Sequence, residues 1–347
     1  MVTPIGLCAA QTAASVRTGI GRLIESPFTD RDGNPLIMGL AEGAELPGLV
    51  ETLDERRLST RHERLVRLGG AALAEATREL PADRPAIVCL GLPDAHPNAK
   101  HPVGLELVEL IALQAQREID VKRSPVHPAG RAAGLVALDS ALALLDRREA
   151  ETVIVGAVDS YYDSGLLDGL DREGRVKTEK NSDGFIPGEG AAFIMLARAR
   201  STIRSTRPRI VASATSNEPG HLYSDQPFHG EGLAAAVRAV FESAPPEVLA
   251  RRTNLVYAGF NGENHWAKEW GVSHIRNADR FTEPLDVEHP ADCMGDPGAA
   301  LGLIMLGLAT YRLNRGRQAA SALVWCSSDR GERAAALIAQ DAPTSGG

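Results

Sequence analysis

Short runs of consecutive apolar residues recur along the chain and alternate with longer stretches that have helical spacing. The clearest runs are residues 85–92 (PAIVCLGL), 151–157 (ETVIVGA) and 320–326 (ASALVWC). A strand that is apolar at every position is buried on both faces, because its side chains point alternately to the two sides of a sheet. The pattern therefore predicts an α/β layered fold in which helices cover both faces of the sheets.

The other predicted elements follow the same alternation. Further strands are predicted over residues 2–9, 192–196, 210–214, 254–259 and 334–339. Helices are predicted over residues 12–24, 58–80, 102–117, 134–148, 230–243 and 298–313. Residues 29–47 are rich in Gly, Asp, Asn and Pro, and this composition predicts an irregular surface segment.

An Arg- and Ser-rich stretch, residues 198–209, separates two series of strands and helices. We therefore expect an N-terminal half over residues 1–200 and a C-terminal half over residues 201–340. The last residues, 341–347 (DAPTSGG), have no apolar pattern, and we expect a disordered tail there.

Charge and cysteine content argue against several classes of protein. The chain has 45 acidic residues against 37 Lys and Arg, a net charge of -8, whereas nucleic-acid binders usually carry a basic surface. The four cysteines are far apart, so the sequence predicts no disulfide framework, no metal site and no cofactor, and it favours a cytoplasmic location. The longest nearly apolar run, residues 298–309, is shorter than the roughly 20 residues that span a bilayer, so no membrane span is expected.

A glycine-rich loop before an apolar strand, residues 183–197 (DGFIPGEGAAFIMLA), is the most specific motif. Taken alone, it indicates a structural loop that leads into a strand. Four more segments occur in colinear order with it: residues 130–145 (GRAAGLVALDSALALL), 153–167 (VIVGAVDSYYDSGLL), 224–241 (SDQPFHGEGLAAAVRAVF) and 295–309 (GDPGAALGLIMLGLA). Together they resemble the β-ketoacyl synthases, condensing enzymes with the thiolase-like fold. The resemblance implies two pseudo-symmetric halves in a five-layered αβαβα core, and a homodimer with the active pocket near its interface.

The catalytic positions of that family hold other residues in this chain. Active relatives load an acyl group onto a cysteine and condense it with a malonyl unit on a carrier protein, assisted by two histidines. The resemblance places the cysteine position on Arg131, the first histidine on Gly259 and the second on Asp296. The supporting lysine falls on Ala291, and residues 327–332 (SSDRGE) replace a glycine-rich loop. The chemistry of condensation is therefore expected to be lost while the architecture is kept.

These substitutions predict a new ion pair. An arginine cannot form a thioester, and a buried guanidinium without a partner is strongly unfavourable. In the family the nucleophile and the second histidine share one pocket, so we expect Arg131 to pair with Asp296 in the space left at Gly259. Asn261 and Glu263 are candidate additional partners and complete the predicted binding set. A competing hypothesis is that Arg131 lies open and binds an anionic ligand.

The leading functional hypothesis is a β-ketoacyl-synthase-like protein that has lost condensation. It would act as a scaffold, as the partner subunit of an active synthase or another protein, or as a binding protein. The alternative is an acyltransferase or thioester hydrolase acting on acyl-carrier or CoA thioesters. In that case Cys293 would be the nucleophile, with His127 or His289 as its base, and the carrier protein would be a partner. A small-molecule binding module would need an open cavity at Arg131.

Overall fold

The computed structural model describes residues 1–81, 85–198, 208–315 and 320–340. Its strands are β1 (Ile24–Thr29), β2 (Pro35–Met38), β3 (Val88–Leu92), β4 (Val126–Pro128), β5 (Thr152–Ser160), β6 (Glu189–Ala197), β7 (Arg209–Asn217), β8 (Thr253–Ala258), β9 (Phe281–Glu288), β10 (Ser321–Ser327) and β11 (Glu332–Ala339). Its α-helices are α1 (Ala9–Arg17), α2 (Glu51–Asp54), α3 (Thr60–Ala76), α4 (Leu107–Gln114), α5 (Ala133–Asp146), α6 (Ser164–Arg172), α7 (Glu231–Ser243), α8 (Pro246–Leu249), α9 (Asn264–Arg276), α10 (Ala291–Met294) and α11 (Leu301–Arg315). Short 3-10 turns cover Val121–Arg123, Gly130–Ala132, Ala278–Arg280 and Gly298–Ala300.

Two mixed sheets form the frame of the molecule. The first has the strand order β4-β3-β5-β6, in which β3 is parallel to β4 and β5 while β6 is antiparallel to β5. The second has the order β7-β11-β10-β8-β9, in which β8 is parallel to β9 and β10, and β11 is antiparallel to β10 and β7. Every residue of β3 and β10 is buried, as expected for central strands that are covered on both faces.

Helices lie in three layers around these sheets. α5 and α11 contact each other and both sheets, so they form the layer between them, with Leu138, Ile304 and Val324 in its apolar core. α3 covers the outer face of the first sheet and packs on α4. α7 covers the outer face of the second sheet and packs on α9. The predicted five-layered αβαβα fold is confirmed.

Several predicted elements need correction near the N-terminus. Residues 2–9 form no strand, because Pro4 has no N–H to donate and the chain turns back, with Thr3 N donating to Gly6 O over 2.8 Å. The helix predicted over residues 12–24 ends at Arg17, since Gly19 has φ +69° and terminates it. The segment 29–47, predicted to be irregular, contains β2, which pairs with β1.

The predicted division of the chain falls where the structure gives no description. The boundary between residues 200 and 201 and the tail 341–347 both lie outside the described residues, so the two halves stay a proposal. In the described ranges, no helix is both long enough and apolar enough to cross a membrane.

Close backbone packing holds the loop that carries Asp296. Gly39 N donates to Pro187 O over 2.9 Å, and Asp296 N donates to Ile186 O over 2.8 Å, so β2 and the loop before β6 clamp the chain at residues 294–296. A Cβ atom at Gly39 would lie 1.6 Å from the carbonyl oxygen of Met294. Only a glycine fits there without moving this loop.

We predict that Gly39→Ala lowers the free energy of unfolding by at least about 2 kcal/mol, because the added methyl group displaces packed backbone. Denaturant unfolding of the whole chain measures this. Gly48→Ala is the matched control, since nothing lies within 4 Å of a Cβ atom there, and its effect should stay within about 0.5 kcal/mol. Equal effects of the two substitutions would contradict the packing argument.

Candidate functional site

The three positions matched to the family's catalytic residues meet between the two sheets. Arg131 lies in the 3-10 turn Gly130–Ala132 that leads from β4 into α5. Gly259 directly follows β8, and Asp296 precedes the turn that leads into α11. Arg131 and Asp296 are 3% and 1% exposed, so both charges are removed from solvent.

The predicted ion pair is confirmed. Arg131 Nε lies 2.7 Å from Asp296 Oδ2, although its N–H does not point at that oxygen well enough to count as a hydrogen bond. Arg131 Nη2 donates to Gly259 O over 2.6 Å, and Nη1 donates to Ser327 O over 3.4 Å. The guanidinium thus joins all three positions.

Aromatic and electrostatic contacts keep this guanidinium charged. Its Cζ lies 4.8 Å from the centre of the Trp266 ring, within the range of a cation–π interaction. Burial on its own lowers the pKa of Arg131, but the carboxylates of Asp296 and Asp329 outweigh burial and raise it. Asp296 Oδ1 in turn accepts from Gly298 N over 2.9 Å. The pair is therefore a neutral, tightly held unit.

Asn261 and Glu263, the two additional partners predicted for Arg131, form hydrogen bonds with other residues of the site. Asn261 Nδ2 donates to Asp296 Oδ2 and to Glu263 Oε2, each over 3.0 Å. Glu263 accepts two hydrogen bonds of 2.9 Å from Arg175, so the charge of this carboxylate is already balanced by another arginine. No hydrogen bond or ion pair among the described residues joins Asn261 or Glu263 to Arg131, so a direct role for them in binding Arg131 stays a prediction.

Arg175 and Asp329 are central to the site, yet sequence reasoning missed both. Arg175 Nη1 lies 2.6 Å from Asp329 Oδ2. Although burial opposes both charges, Asp329 raises the pKa of Arg175 and Arg175 lowers the pKa of Asp329, so each partner favours the charged form of the other. A signal was present for Asp329, since it stands in the segment 327–332 that replaces the family's glycine-rich loop. Nothing in the sequence around Arg175 distinguishes it from a surface arginine.

The residues considered for an acyltransferase, Cys293, His127 and His289, differ in their surroundings. Burial, followed by Asp292 and Glu288, raises the pKa of the Cys293 thiol, which disfavours the nucleophilic thiolate. His289 pairs with Asp292 at the surface, its Nδ1 lying 2.9 Å from Oδ2. Burial lowers the pKa of His127, whose Nε2 has no hydrogen-bond partner in the described structure. No hydrogen bond found among the described residues joins the Cys293 thiol to either histidine.

A cavity of about 220 Å³ opens beside the ion pair. Arg131 forms part of its wall, together with Asp94, Asp159 and Tyr161. Burial raises the pKa of both aspartates to about 6. For Asp159, Arg61 opposes this effect of burial, whereas Asp94 is relieved chiefly by a 2.8 Å hydrogen bond from Ser328 Oγ. The catalytic positions are thus filled, and an open space remains next to them.

Comparison with known proteins identifies the fold that carries this site. Residues 127–201, which include Arg131, match the family model "Beta-ketoacyl synthase, N-terminal domain". The ketosynthase from module 6 of the bacillaene synthase from Bacillus subtilis 168 aligns with a TM-score of 0.77 at 14% identity, covering 98% of this chain and 71% of that one. This chain has the β-ketoacyl synthase fold.

Other ketosynthase-fold structures agree over the full length. The ishigamide ketosynthase/chain length factor aligns with a TM-score of 0.77 at 14% identity, covering 98% of this chain and 97% of that one. A beta-ketoacyl synthase from Burkholderia phymatum STM815 gives a TM-score of 0.74 at 14% identity and the same coverages. A search of curated proteins finds no match. The predicted resemblance is confirmed, and the departures at Arg131, Gly259 and Asp296 lie within a retained ketosynthase fold.

We predict that Asp296→Asn lowers the free energy of unfolding by about 3–5 kcal/mol. The substitution leaves the Arg131 guanidinium buried without a carboxylate, and an uncompensated buried charge is strongly destabilising. Chemical denaturation at neutral pH measures the loss.

Asp286→Asn is the control for that measurement. Asp286 pairs with Arg312 over 2.6 Å at the surface, where water screens the charges, so we expect a change below about 1 kcal/mol. A loss of the same small size for both substitutions would show that the buried pair contributes no more than a surface pair.

We also predict that Asp94→Asn stabilises the fold by about 1–2 kcal/mol at pH 8. The folded state raises the pKa of Asp94 from 3.8 to about 6, so ionisation of this carboxyl disfavours folding once the pH exceeds 3.8. The gain should be full above pH 6, shrink as the pH falls through 6, and vanish below 3.8. Thermal or denaturant unfolding at several pH values measures it, and a gain independent of pH would contradict the assignment to this carboxyl.

Proposed function

We propose that this protein is a ketosynthase-fold protein without condensing activity, which serves as a scaffold, a partner subunit or a binding protein. One observation carries the proposal. The side chain at the nucleophile position is a buried guanidinium that is paired with Asp296 and bonded to the backbone of Gly259. No acyl group can be loaded there, because a guanidinium forms no thioester and stays protonated.

The other two positions reinforce this conclusion. Condensation needs donors that stabilise a developing enolate, and glycine supplies no side-chain donor. The Asp296 carboxylate would place negative charge where negative charge must develop. A Cβ atom at Gly259 would lie 3.0 Å from Trp325 O, so the backbone now fills part of the space that a histidine would use. Restoring one residue would therefore not restore the reaction.

The acyltransferase or hydrolase alternative has no comparable support. It needs a thiolate with a base in hydrogen-bond reach. The raised pKa of Cys293 and the surface pairing of His289 with Asp292 both oppose that arrangement. Relocated catalysis therefore ranks below loss of catalysis.

Protein partners follow from the fold as part of the same proposal. We place the protein in the cytoplasm as a homodimer, or in a complex with an active synthase of fatty acid or polyketide type. A matching structure is described as a ketosynthase/chain length factor, and another as a type II PKS acyl-carrier protein in complex with its ketosynthase. These descriptions belong to those proteins, and they support a partner-subunit role here.

The test is incubation of the purified chain with acyl and malonyl thioesters, read by intact mass and by product analysis. A condensing ketosynthase with its cysteine serves as the positive control. We expect no acyl adduct on any of the four cysteines and no carbon–carbon bond formation, while the control gives both. An adduct on Cys293 would support the acyltransferase alternative, and a condensation product would refute the proposal.

A further inference from the structure

The cavity beside Arg131 has a buried interior and an exposed mouth. Glu173, Tyr223 and Arg330 are exposed and line its mouth. Asp159 and Tyr161, which are buried, and Asp94, which is half-buried, line the interior. A ligand in the interior would therefore contact the interior side chains and not the exposed side chains of the mouth.

The two cations of the interior are already neutralised. Arg131 is paired with Asp296 over 2.7 Å. Arg61 Nη2 lies 3.5 Å from Asp159 Oδ1, and it is 3% exposed. Neither guanidinium carries spare charge for a ligand, so the interior offers no anion site. This result disfavours the expectation that Arg131 lies open to an anionic ligand.

One interior carboxylate, by contrast, has no cation. Asp94 accepts the Ser328 hydroxyl, and within the described ranges no lysine, arginine or histidine forms an ion pair with it. The charged groups that face it are Asp329, Arg330 and Glu332, two of which repel its negative charge. Arg330 favours the charged form of Asp94 but forms no ion pair with it among the described residues, and its guanidinium lies over the Tyr223 ring at 5.5 Å.

The neighbouring polar groups do not cancel this charge. His96 lines the same cavity, where its Nδ1 accepts a hydrogen bond from Asn98 N over 3.2 Å and its Nε2 lies 3.5 Å from Glu173 Oε1. Asp329 is matched by Arg175. The interior is therefore left with one negative charge, at Asp94.

Tyr161 adds a second unfilled contact. Its side chain is 9% exposed and lines the cavity, yet its hydroxyl makes no hydrogen bond with any part of the chain that the structure describes. Because Tyr161 lines the cavity, a polar ligand group bound there can share a hydrogen bond with its hydroxyl, which both donates and accepts. Leu166, Leu170 and Pro93 supply apolar wall beside these two polar groups.

We propose that this cavity binds a small organic cation, a protonated amine with a short apolar chain, held by the Asp94 carboxylate and the Tyr161 hydroxyl. A cavity of about 150 Å³ holds a benzene molecule, so the space here accepts a ligand of about six heavy atoms. The site goes beyond the loss of condensation and does not rest on it, because neither residue occupies a position of the former catalytic set.

Three matched probes test the assignment: pentylamine, pentanol and pentanoate, titrated into the whole chain at pH 7.5 and followed by ligand-observed NMR. We expect pentylamine to bind about 10-fold more tightly than pentanol, because a charge-assisted hydrogen bond to a shielded carboxylate is stronger than a neutral one. Pentanoate should bind weakest, since it meets the Asp94 charge. Equal or tighter binding of pentanoate, or no binding of any probe, would refute the proposal.

Substitutions locate the binding. Asp94→Asn keeps the size of the side chain and its bond to Ser328, so the fold is preserved while pentylamine affinity falls about 10-fold. Tyr161→Phe should weaken pentylamine several-fold and leave the order of the three probes unchanged. Asp279→Asn is the control, an exposed carboxyl paired with Arg280 on the 3-10 turn before β9, and it should have no effect. Unchanged affinity in Asp94→Asn would overturn the proposal, whatever the condensation assay gives.

Discussion

A buried positive charge at Arg131 sets the requirements that the centre of this molecule meets. A guanidinium removed from water needs hydrogen-bond acceptors and a compensating carboxylate, or the fold loses several kcal/mol. Each of the two other family positions supplies one of these. Gly259 gives its backbone oxygen, and Asp296 gives the charge. The residues at these three positions thus form a single buried contact.

The residues around the Arg131–Asp296 pair are also linked by ion pairs and hydrogen bonds. Asn261 links Asp296 to Glu263, and Glu263 shares Arg175 with Asp329. This chain of alternating charges ties the loop after β8 and the turn between β10 and β11 to the segment that follows α6. At its centre, Arg131 in the turn after β4 contacts Gly259 after β8 and Ser327 at the end of β10, so the buried guanidinium links the two sheets.

Against this matched network, the unmatched carboxylate of Asp94 stands out. A protein selected only for stability would lose little by replacing it, because its ionisation disfavours the folded state. A cavity carboxylate whose charge disfavours the folded state is typical of binding sites, which trade stability for recognition. The same reasoning separates Asp94 from Asp159, whose charge is met by Arg61 and by two backbone N–H groups.

Sequence patterns predicted the layered fold and the Arg131–Asp296 ion pair, but not the charged residues that surround this pair. Continuous apolar runs identified β3, β5 and β10 because full burial leaves that signature. The ion pair was predictable because an arginine and an aspartate at two positions that share one pocket stabilise each other when they pair. Arg175 escaped notice, since its partners come from residues 263 and 329, which only the fold brings together. The helix over residues 58–80 was predicted with ends too far out, because apolar spacing continues past Ala76, where α3 ends.

A double-mutant cycle on Arg131 and Asp296 tests the central claim most directly. The free energies of unfolding of the wild type, Arg131→Met, Asp296→Asn and the double variant give the coupling between the two side chains. If the guanidinium and the carboxylate form one compensated unit, the coupling is at least about 2 kcal/mol and the double variant is more stable than the sum of the single losses predicts. Additive losses, within about 0.5 kcal/mol, would show that the two charges do not depend on each other and would contradict the account.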